Sequence, residues 1–237
     1  MVLKELVVPS RHALFVREIE NQILSGALRQ GERLPTERDM AERMKVSKTI
    51  VHDGLAELAA KGFLEIVPRK GAFVADYIRN GKLETLVSML EFNGGRFDPK
   101  TMRSIVRFHM ENEGTAACFA AENRTDEDLA RMEEDCRLIA LEHDPHEVAE
   151  LVTRFHRDML CATDNVVYPM VHNAFGSVML SFTEVIYRTV SSQAAAAELR
   201  VVLDAIRDKD GERARNEMRA LLTRRSVELE AGYFKKD

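Results

Sequence analysis

The chain has 237 residues, of which 45 % are apolar and 31 % are charged, and its formal net charge is −5. This composition excludes a disordered, collagen-like or low-complexity chain, and the acidic total argues against a protein that simply coats nucleic acid. The three cysteines are scattered along the chain without a close pair, which favours reduced thiols in a cytoplasmic protein.

Helix-start and helix-stop signals divide the beginning of the chain into three predicted helices. Ser10 precedes an amphipathic segment that ends at Gly26. Thr36 follows a proline and precedes a second helix. Ser47 caps a third helix, which continues to Gly62.

Two short apolar runs follow the third helix, over residues 63–67 and 72–76. The segment Pro68-Arg-Lys-Gly joins them, which predicts a β-hairpin with a basic tip. Three helices and a hairpin in this order predict a winged helix-turn-helix over residues 1–76.

Residues 77–81 are interpreted as a hinge, and residues 82–237 as a separate helical domain. Residues 1–76 hold 12 Lys and Arg against 11 Asp and Glu, a charge of +1, so the remaining residues carry −6. Asp98, Thr125, Asp144 and Ser191 each precede a helical pattern. About seven helices and no strand are expected, so the fold class is mainly α, with an antiparallel helical bundle.

The longest uncharged run covers residues 165–183 and is predicted to form the buried central helix of the bundle. It contains too many polar residues to span a membrane, and the first eight residues do not resemble a secretory signal. We therefore expect no membrane partner.

Polar and basic residues in the first 76 positions are arranged as a DNA-reading surface. A recognition helix presents such residues from its first turns to the base edges of the major groove, and a basic wing contacts the minor groove or the backbone. The candidate DNA contacts are Thr36, Arg38, Ser47, Lys48, Thr49, His52, Arg69, Lys70 and Gly71. Exposed charges are also common without a ligand, so a winged-helix protein-interaction module is the alternative.

Four motifs in this region are similar to the DNA-binding domain of GntR-family bacterial transcription regulators. They are Leu34-Pro-Thr-Glu-Arg, Val46-Ser-Lys-Thr, Leu55-x-x-Leu-x-x-Lys-Gly-Phe-Leu and Lys70-Gly-Ala-Phe-Val. The helical remainder resembles the ligand-sensing domain of the FadR (FCD) branch. The resemblance implies a small-molecule effector that modulates DNA affinity. Because residues 1–76 carry a charge of only +1, useful affinity requires two copies on a two-fold site, so we expect a homodimer and a near-palindromic operator in double-stranded DNA.

Two positions depart from the family pattern, which usually has arginine where this chain has Lys48 and His52. Arginine reads guanine with two parallel donors, whereas lysine offers a single charge and histidine a shorter side chain. The departures imply a different operator or weaker base discrimination.

The resemblance also implies where a metal would be bound in this branch. The matching positions are Val152, His156, Leu199 and Leu221, so only one ligand is kept, and we expect neither a metal nor another cofactor. Branch members without the metal include a fatty-acyl-CoA sensor, so an acyl or otherwise partly apolar effector is expected. Two alternatives are a rearranged site made with His109 and His172, and a ligand-independent repressor with a vestigial sensor.

Six residues of the helical domain are candidate effector contacts. Polar residues recur along the uncharged run, and the branch has an inward-facing arginine at the position of one of them. They are Arg107, Glu111, His156, His172, Asn173 and Ser177. For Arg107 and Glu111 the alternative is a simple ion pair between residues four apart.

The sequence does not favour an enzyme. It contains no G-x-S-x-G, H-E-x-x-H, G-x-G-x-x-G or P-loop motif, and none of the seven histidines follows a glutamate by three positions, as a di-iron bundle requires.

Overall fold

The computed structural model describes residues 9–92 and 98–233. The chain divides into two compact units, residues 1–96 and residues 97–237. The elements of the first unit are α1 (Arg11–Leu24), α2 (Glu37–Met44), α3 (Lys48–Ala60), β1 (Leu64–Val67), β2 (Gly71–Val74), α4 (Tyr77–Asn80) and α5 (Leu83–Phe92). The elements of the second unit are α6 (Pro99–Asn123), α7 (Asp126–Leu141), α8 (Pro145–Cys161), α9 (Val167–Ala174), α10 (Gly176–Tyr187), α11 (Ser192–Arg207) and α12 (Gly211–Tyr233).

The start signals of the first three helices are confirmed as side-chain caps. Ser10, Thr36 and Ser47 each accept a hydrogen bond from the backbone N–H three residues later. These bonds satisfy amide groups that have no partner inside the helix, so the sequence fixes where each helix begins.

The predicted hairpin is present, with a register that pairs Leu64 with Val74 and Val67 with Gly71. Leu64 and Val74 turn into the core, where they meet the buried side chains of Phe15 and Phe63. The first unit is therefore a winged helix-turn-helix, as the element order predicted.

Residues 77–81 do not form the open connection that the hinge interpretation suggested. Residues 77–80 are helical, and α5 follows within the first unit, whose boundary lies after Arg96. Ser88 of α5 donates a hydrogen bond to the buried carboxylate of Glu20, 2.9 Å away, and Lys61 approaches the same oxygen at 3.0 Å. A buried carboxylate requires such partners, which is why the first unit extends beyond the hairpin.

Seven helices and no strand make up the described part of the second unit, which confirms the all-helical prediction. Its core is formed by α6, α7, α8, α11 and α12, with Met132, Phe155 and Leu203 among the fully buried residues. The capping box of Thr125 with Asp128 is formed in both directions. The three cysteines are free thiols, as expected.

The prediction of one buried central helix over residues 165–183 was wrong. The run forms two helices, α9 and α10, which meet at Phe175, and Val166 and Met170 are exposed. The absence of charge does not distinguish a core segment from a surface helix with apolar side chains. Across residues 9–92 and 98–233, no helix is long and apolar enough to cross a membrane.

Replacing Gly54 with alanine is expected to destabilise the protein although alanine is the better helix former. A Cβ atom at this position would lie 2.4 Å from Cδ1 of Phe15, whose ring is buried in the core. Overpacking of this kind costs about 1–3 kcal/mol, which lowers the urea midpoint of the full chain.

Gly176 is the matched control for this substitution, because no heavy atom lies within 4 Å of its Cβ position. Equal midpoints for Gly54→Ala and Gly176→Ala would contradict the packing argument. Adding Phe15→Leu to Gly54→Ala is expected to recover part of the loss.

Candidate DNA interface and effector cavity

The amphipathic pattern of α3 divides its side chains between the core and the solvent. Val51 and Leu58 are fully buried, whereas Lys48, Thr49 and His52 are exposed together with the cap Ser47. The side chains predicted to reach base edges therefore lie on the free face of the helix at its N-terminal end.

The cations on this face differ in their partners. Lys48 forms no ion pair with any residue that the structure describes, and its side chain is exposed. His52 lies 3.2 Å from Glu37 Oε1, and Arg38 lies 3.5 Å from Glu42 Oε1. Glu37 and Glu42 compete with phosphate for His52 and Arg38. Of these three basic side chains, Lys48 is therefore the most available to DNA.

The wing presents Arg69 and Lys70 at the hairpin tip, both exposed. Gly71 follows with a backbone φ of 108°, which favours glycine, and a Cβ there would approach Arg33 Nε within 3.3 Å. Arg33 was missed by the sequence reasoning. Arg33 joins the hairpin through an isolated antiparallel β-bridge to Phe73. No local motif predicts this pairing, because the two residues are far apart in the sequence.

Thr36 is the remaining candidate DNA contact, and its hydroxyl accepts the α2 cap bond while the residue stays exposed. All nine predicted contacts are exposed in the structure, at the start of α2, in the first turns of α3 and at the hairpin tip. Exposure is a requirement for contact with DNA, and the assignment itself remains a prediction.

A cluster of three histidines and one glutamate lies inside the second unit. Glu113 and His109 project from α6, His156 from α8 and His172 from α9. His156 Nδ1 is hydrogen-bonded to Glu113 Oε2, and Glu113 Oε1 lies 3.4 Å from His109 Nε2 and 3.7 Å from His172 Nδ1. The carboxylate of Glu113 is 2 % exposed, so the histidines form most of its polar surroundings.

The histidines determine the ionisation of this carboxyl group. Burial by itself would raise the pKa of Glu113, but the charges and hydrogen bonds of the neighbouring imidazoles outweigh it, and the pKa lies well below its usual range. Burial lowers the pKa of His109, against the opposing effect of Glu113. The cluster therefore favours an ionised carboxylate beside a neutral imidazole.

Two cavities adjoin the cluster, with volumes of about 300 Å³ and about 70 Å³. His109 and His172 line both of them. The larger one is bounded mainly by apolar side chains such as Phe108 and Val171, with Asn112 among its few polar residues. A ligand there would be partly apolar and would meet polar groups at one end.

The structure brings His156 and His172 to these cavities but not the other four predicted effector contacts. Arg107, Glu111, Asn173 and Ser177 are exposed and line neither cavity. The alternative of an ion pair between Arg107 and Glu111 is not formed either, and Glu111 instead accepts a hydrogen bond from Arg219 of α12 at 2.9 Å. Asn173 and Ser177 face solvent, whereas Val178 and Phe182 of the same run are buried.

Three of the four metal positions implied by the resemblance hold apolar residues, and all three are buried in the structure. They are Val152, Leu199 and Leu221. Val152 and Leu221 line the smaller cavity. The sequence reasoning missed Glu113, which is four residues after His109 and therefore on the same face of α6. That spacing is the signal that could have found it.

A winged helix with an exposed, polar recognition helix, followed by an all-helical unit, is the architecture of a DNA-binding transcriptional regulator. Residues 15–74 match the family described as bacterial regulatory proteins, gntR family, and residues 105–224 match the FCD domain. The chain belongs to the GntR family, in the branch that carries an FCD domain.

Relatives along nearly the whole chain are named transcriptional regulators. The galactonate operon transcriptional repressor of Escherichia coli (strain K12) is 30 % identical over 217 residues, which is 88 % of this chain and 93 % of the repressor. The HTH-type transcriptional regulator Mce2R of Mycobacterium tuberculosis is 27 % identical over 215 residues, which is 90 % of this chain and 89 % of that protein.

Among solved structures, the fold is similar to that of Lar, which controls the expression of the Listeria monocytogenes agr system. The TM-score is 0.56 at 17 % identity, over 95 % of this chain and 99 % of the other. The likeness supports the same arrangement of elements.

Lys48→Ala is expected to weaken binding to the operator more than binding to a random duplex. Loss of a base contact by a single lysine corresponds to about 1 kcal/mol of discrimination, or about fivefold, at the lower end of the range for base contacts. Titration of both duplexes at one salt concentration measures the difference. An equal loss of affinity for both duplexes, or no loss of affinity, would contradict the base-reading role of Lys48.

Arg69→Ala combined with Lys70→Ala is expected to act through the phosphate backbone. The slope of log affinity against log salt is negative, and each lost phosphate contact makes it less steep by about 0.9. The slope of the double variant should therefore be less steep by about 1–2 on any duplex. Arg17→Ala, an exposed cation on α1, serves as the matched control and should leave the slope unchanged.

Proposed function

We propose that this chain binds a near-palindromic operator as a homodimer and represses transcription by occupying it. The observation that supports this most is Lys48, a cation without an ion-pair partner among the described residues, at the exposed start of α3. The relative named as an operon repressor, with its full-length similarity, favours repression as the mode of action.

The low charge of the first 76 residues supports the dimer. A domain of charge +1 gains little from nonspecific attraction to phosphate, so a single copy would bind weakly at physiological salt. Two copies on a two-fold site add their contacts without a strongly basic surface. Chromatin immunoprecipitation with sequencing should recover sites with two-fold symmetry, and sedimentation should give a dimer.

The alternative of a protein-interaction module predicts a different result. A gel shift with the DNA upstream of its own gene would show no specific complex, and Lys48→Ala would change nothing. We also propose that the chain has no enzymatic activity of its own and acts in the cytoplasm, where its DNA target lies.

We further propose that a small, partly apolar molecule binds in the larger cavity of the second unit and changes operator affinity. The cavity volume of about 300 Å³ and its mainly apolar wall suit an acyl or similarly apolar portion, and Asn112 and His172 offer polar contacts. Couplings between two sites of this kind are typically about 1–3 kcal/mol.

Val171→Trp is expected to fill the larger cavity and to abolish the response to effector while operator affinity without effector is kept. Val171 lines the cavity and is 38 % exposed, so the larger side chain can enter without disrupting the core. A thermal-shift screen of fatty acids, acyl thioesters and sugar acids identifies the effector, and operator titration with and without it measures the response.

Val201→Trp is the matched control, since Val201 is 40 % exposed on α11 and lines neither cavity. It should keep the full response. An unchanged response in Val171→Trp would place the effector elsewhere.

A further inference from the structure

We propose that His109, Glu113 and His156 bind a divalent transition-metal ion inside the second unit. One ligand atom from each residue can be chosen so that all three lie within 4.8 Å of one another. Imidazole nitrogens and a carboxylate oxygen are the ligands with which proteins most often hold zinc and neighbouring metals. The inference deepens the proposed effector role, and for its regulatory meaning it rests on that role.

The distances suit coordination of a single ion. Zinc lies about 2.0–2.2 Å from nitrogen and oxygen ligands, so two ligands of a tetrahedral site are about 3.3 Å apart. Glu113 Oε1 and His109 Nε2 are 3.4 Å apart, close to that separation. His156 reaches the other oxygen of the same carboxylate, so small side-chain movements bring all three residues to one centre.

The polar atoms left without hydrogen bonds are a second, independent indication. Oε1 of Glu113 and Nε2 of His172 are buried without a hydrogen-bond partner among the described residues. An ionised carboxylate at 2 % exposure is costly unless each of its oxygens is paired. A cation at this oxygen supplies the missing interaction.

Glu20 of the first unit shows how this chain satisfies a buried carboxylate without a metal. Glu20 is 5 % exposed, and the ammonium group of Lys61 and the hydroxyl of Ser88 both bind its Oε1. No lysine or arginine pairs with Glu113 among the described residues. Imidazoles take the place of the ammonium group there, and imidazoles bind metals where ammonium groups do not.

The proposed ligand set differs from the positions that the family resemblance implies. Those positions keep only His156, because Val152, Leu199 and Leu221 are apolar. The carboxylate that Val152 lacks on α8 is supplied by Glu113 on α6, across the same helix interface. The expectation of a metal-free domain rests on the family positions, whereas the proposed site adds Glu113 to the alternative of a rearranged site that includes His109 and His156.

His172 acts as a positioning residue in this arrangement. Its Nδ1 lies 3.7 Å from Glu113 Oε1, and its side chain is 6 % exposed, so it supports the carboxylate from α9. Such supporting contacts fix the orientation of a ligand and raise metal affinity by about 10- to 100-fold.

The chemistry of the ligands selects the class of ion. Two imidazoles favour zinc, nickel or cobalt over manganese, whereas magnesium and calcium prefer sites made only of oxygen ligands. Because His109 and His172 line both cavities, an ion at Glu113 would lie in the wall between them and next to the proposed effector.

The full-length chain, stripped with chelator and then incubated with zinc chloride alone, tests the site. We expect one zinc per chain after gel filtration, measured by mass spectrometry of the element, and a rise in melting temperature. Competition with a chromophoric chelator should give affinities at least about 10- to 100-fold weaker for Glu113→Gln and His109→Gln than for the original chain. Substitution with cobalt should give visible absorption bands that both variants lose.

His143→Ala is the matched control, because His143 is exposed and distant in sequence from the cluster. It should retain one zinc at unchanged affinity. His109 is partly exposed, so His109→Gln tests the site even if Glu113→Gln fails to fold, and circular dichroism of the stripped variants verifies folding.

Substoichiometric zinc in the original chain, or equal affinity in folded His109→Gln and His143→Ala, would overturn the proposal. Operator binding by the zinc-loaded protein is measured in parallel. Absence of operator binding with one zinc bound per chain would refute the proposed function and leave the metal site standing, whereas operator binding without stoichiometric zinc would refute only the metal site.

Discussion

Glu113 places a carboxylate where solvent does not reach, and histidines from three helices must share it. His109 and Glu113 lie one turn apart on α6, and His156 and His172 come to them from α8 and α9. The two cavities adjoin this cluster, and His109 and His172 line both of them. The polar centre and the space for a ligand therefore share two side chains.

The two units treat their buried carboxylates differently. In the first unit, Glu20 is bound by Lys61 and Ser88, and this contact fixes α5 beside α1. Burial alone would lower the pKa of Lys61, but Glu57 and Glu20 outweigh it and the pKa is raised. That network is complete without a ligand. The cluster at Glu113 is incomplete by its own side chains, which is the property expected of a sensor and not of a scaffold.

Carboxylates lie beside two of the basic side chains of the candidate DNA interface. Val51 and Leu58 hold α3 in the core, so Lys48 and His52 are presented on a rigid helix. Glu37 and Glu42 lie beside His52 and Arg38 and reduce the attraction to phosphate. If the chain acts as the proposed dimer, weak binding by a single copy lets a modest change in how two copies meet a two-fold site alter occupancy.

Local signals in the sequence determined the elements of both units. The cap at Ser47 and the capping box at Thr125 depend on atoms three residues apart, so they are readable without a fold. Only the tertiary structure decided that α5 belongs to the first unit, that residues 165–183 form two helices instead of one, and that Glu113 meets histidines 43 and 59 residues further along the chain. Burial and long-range pairing arise from packing between helices, and hydrophobicity along one segment does not contain that information.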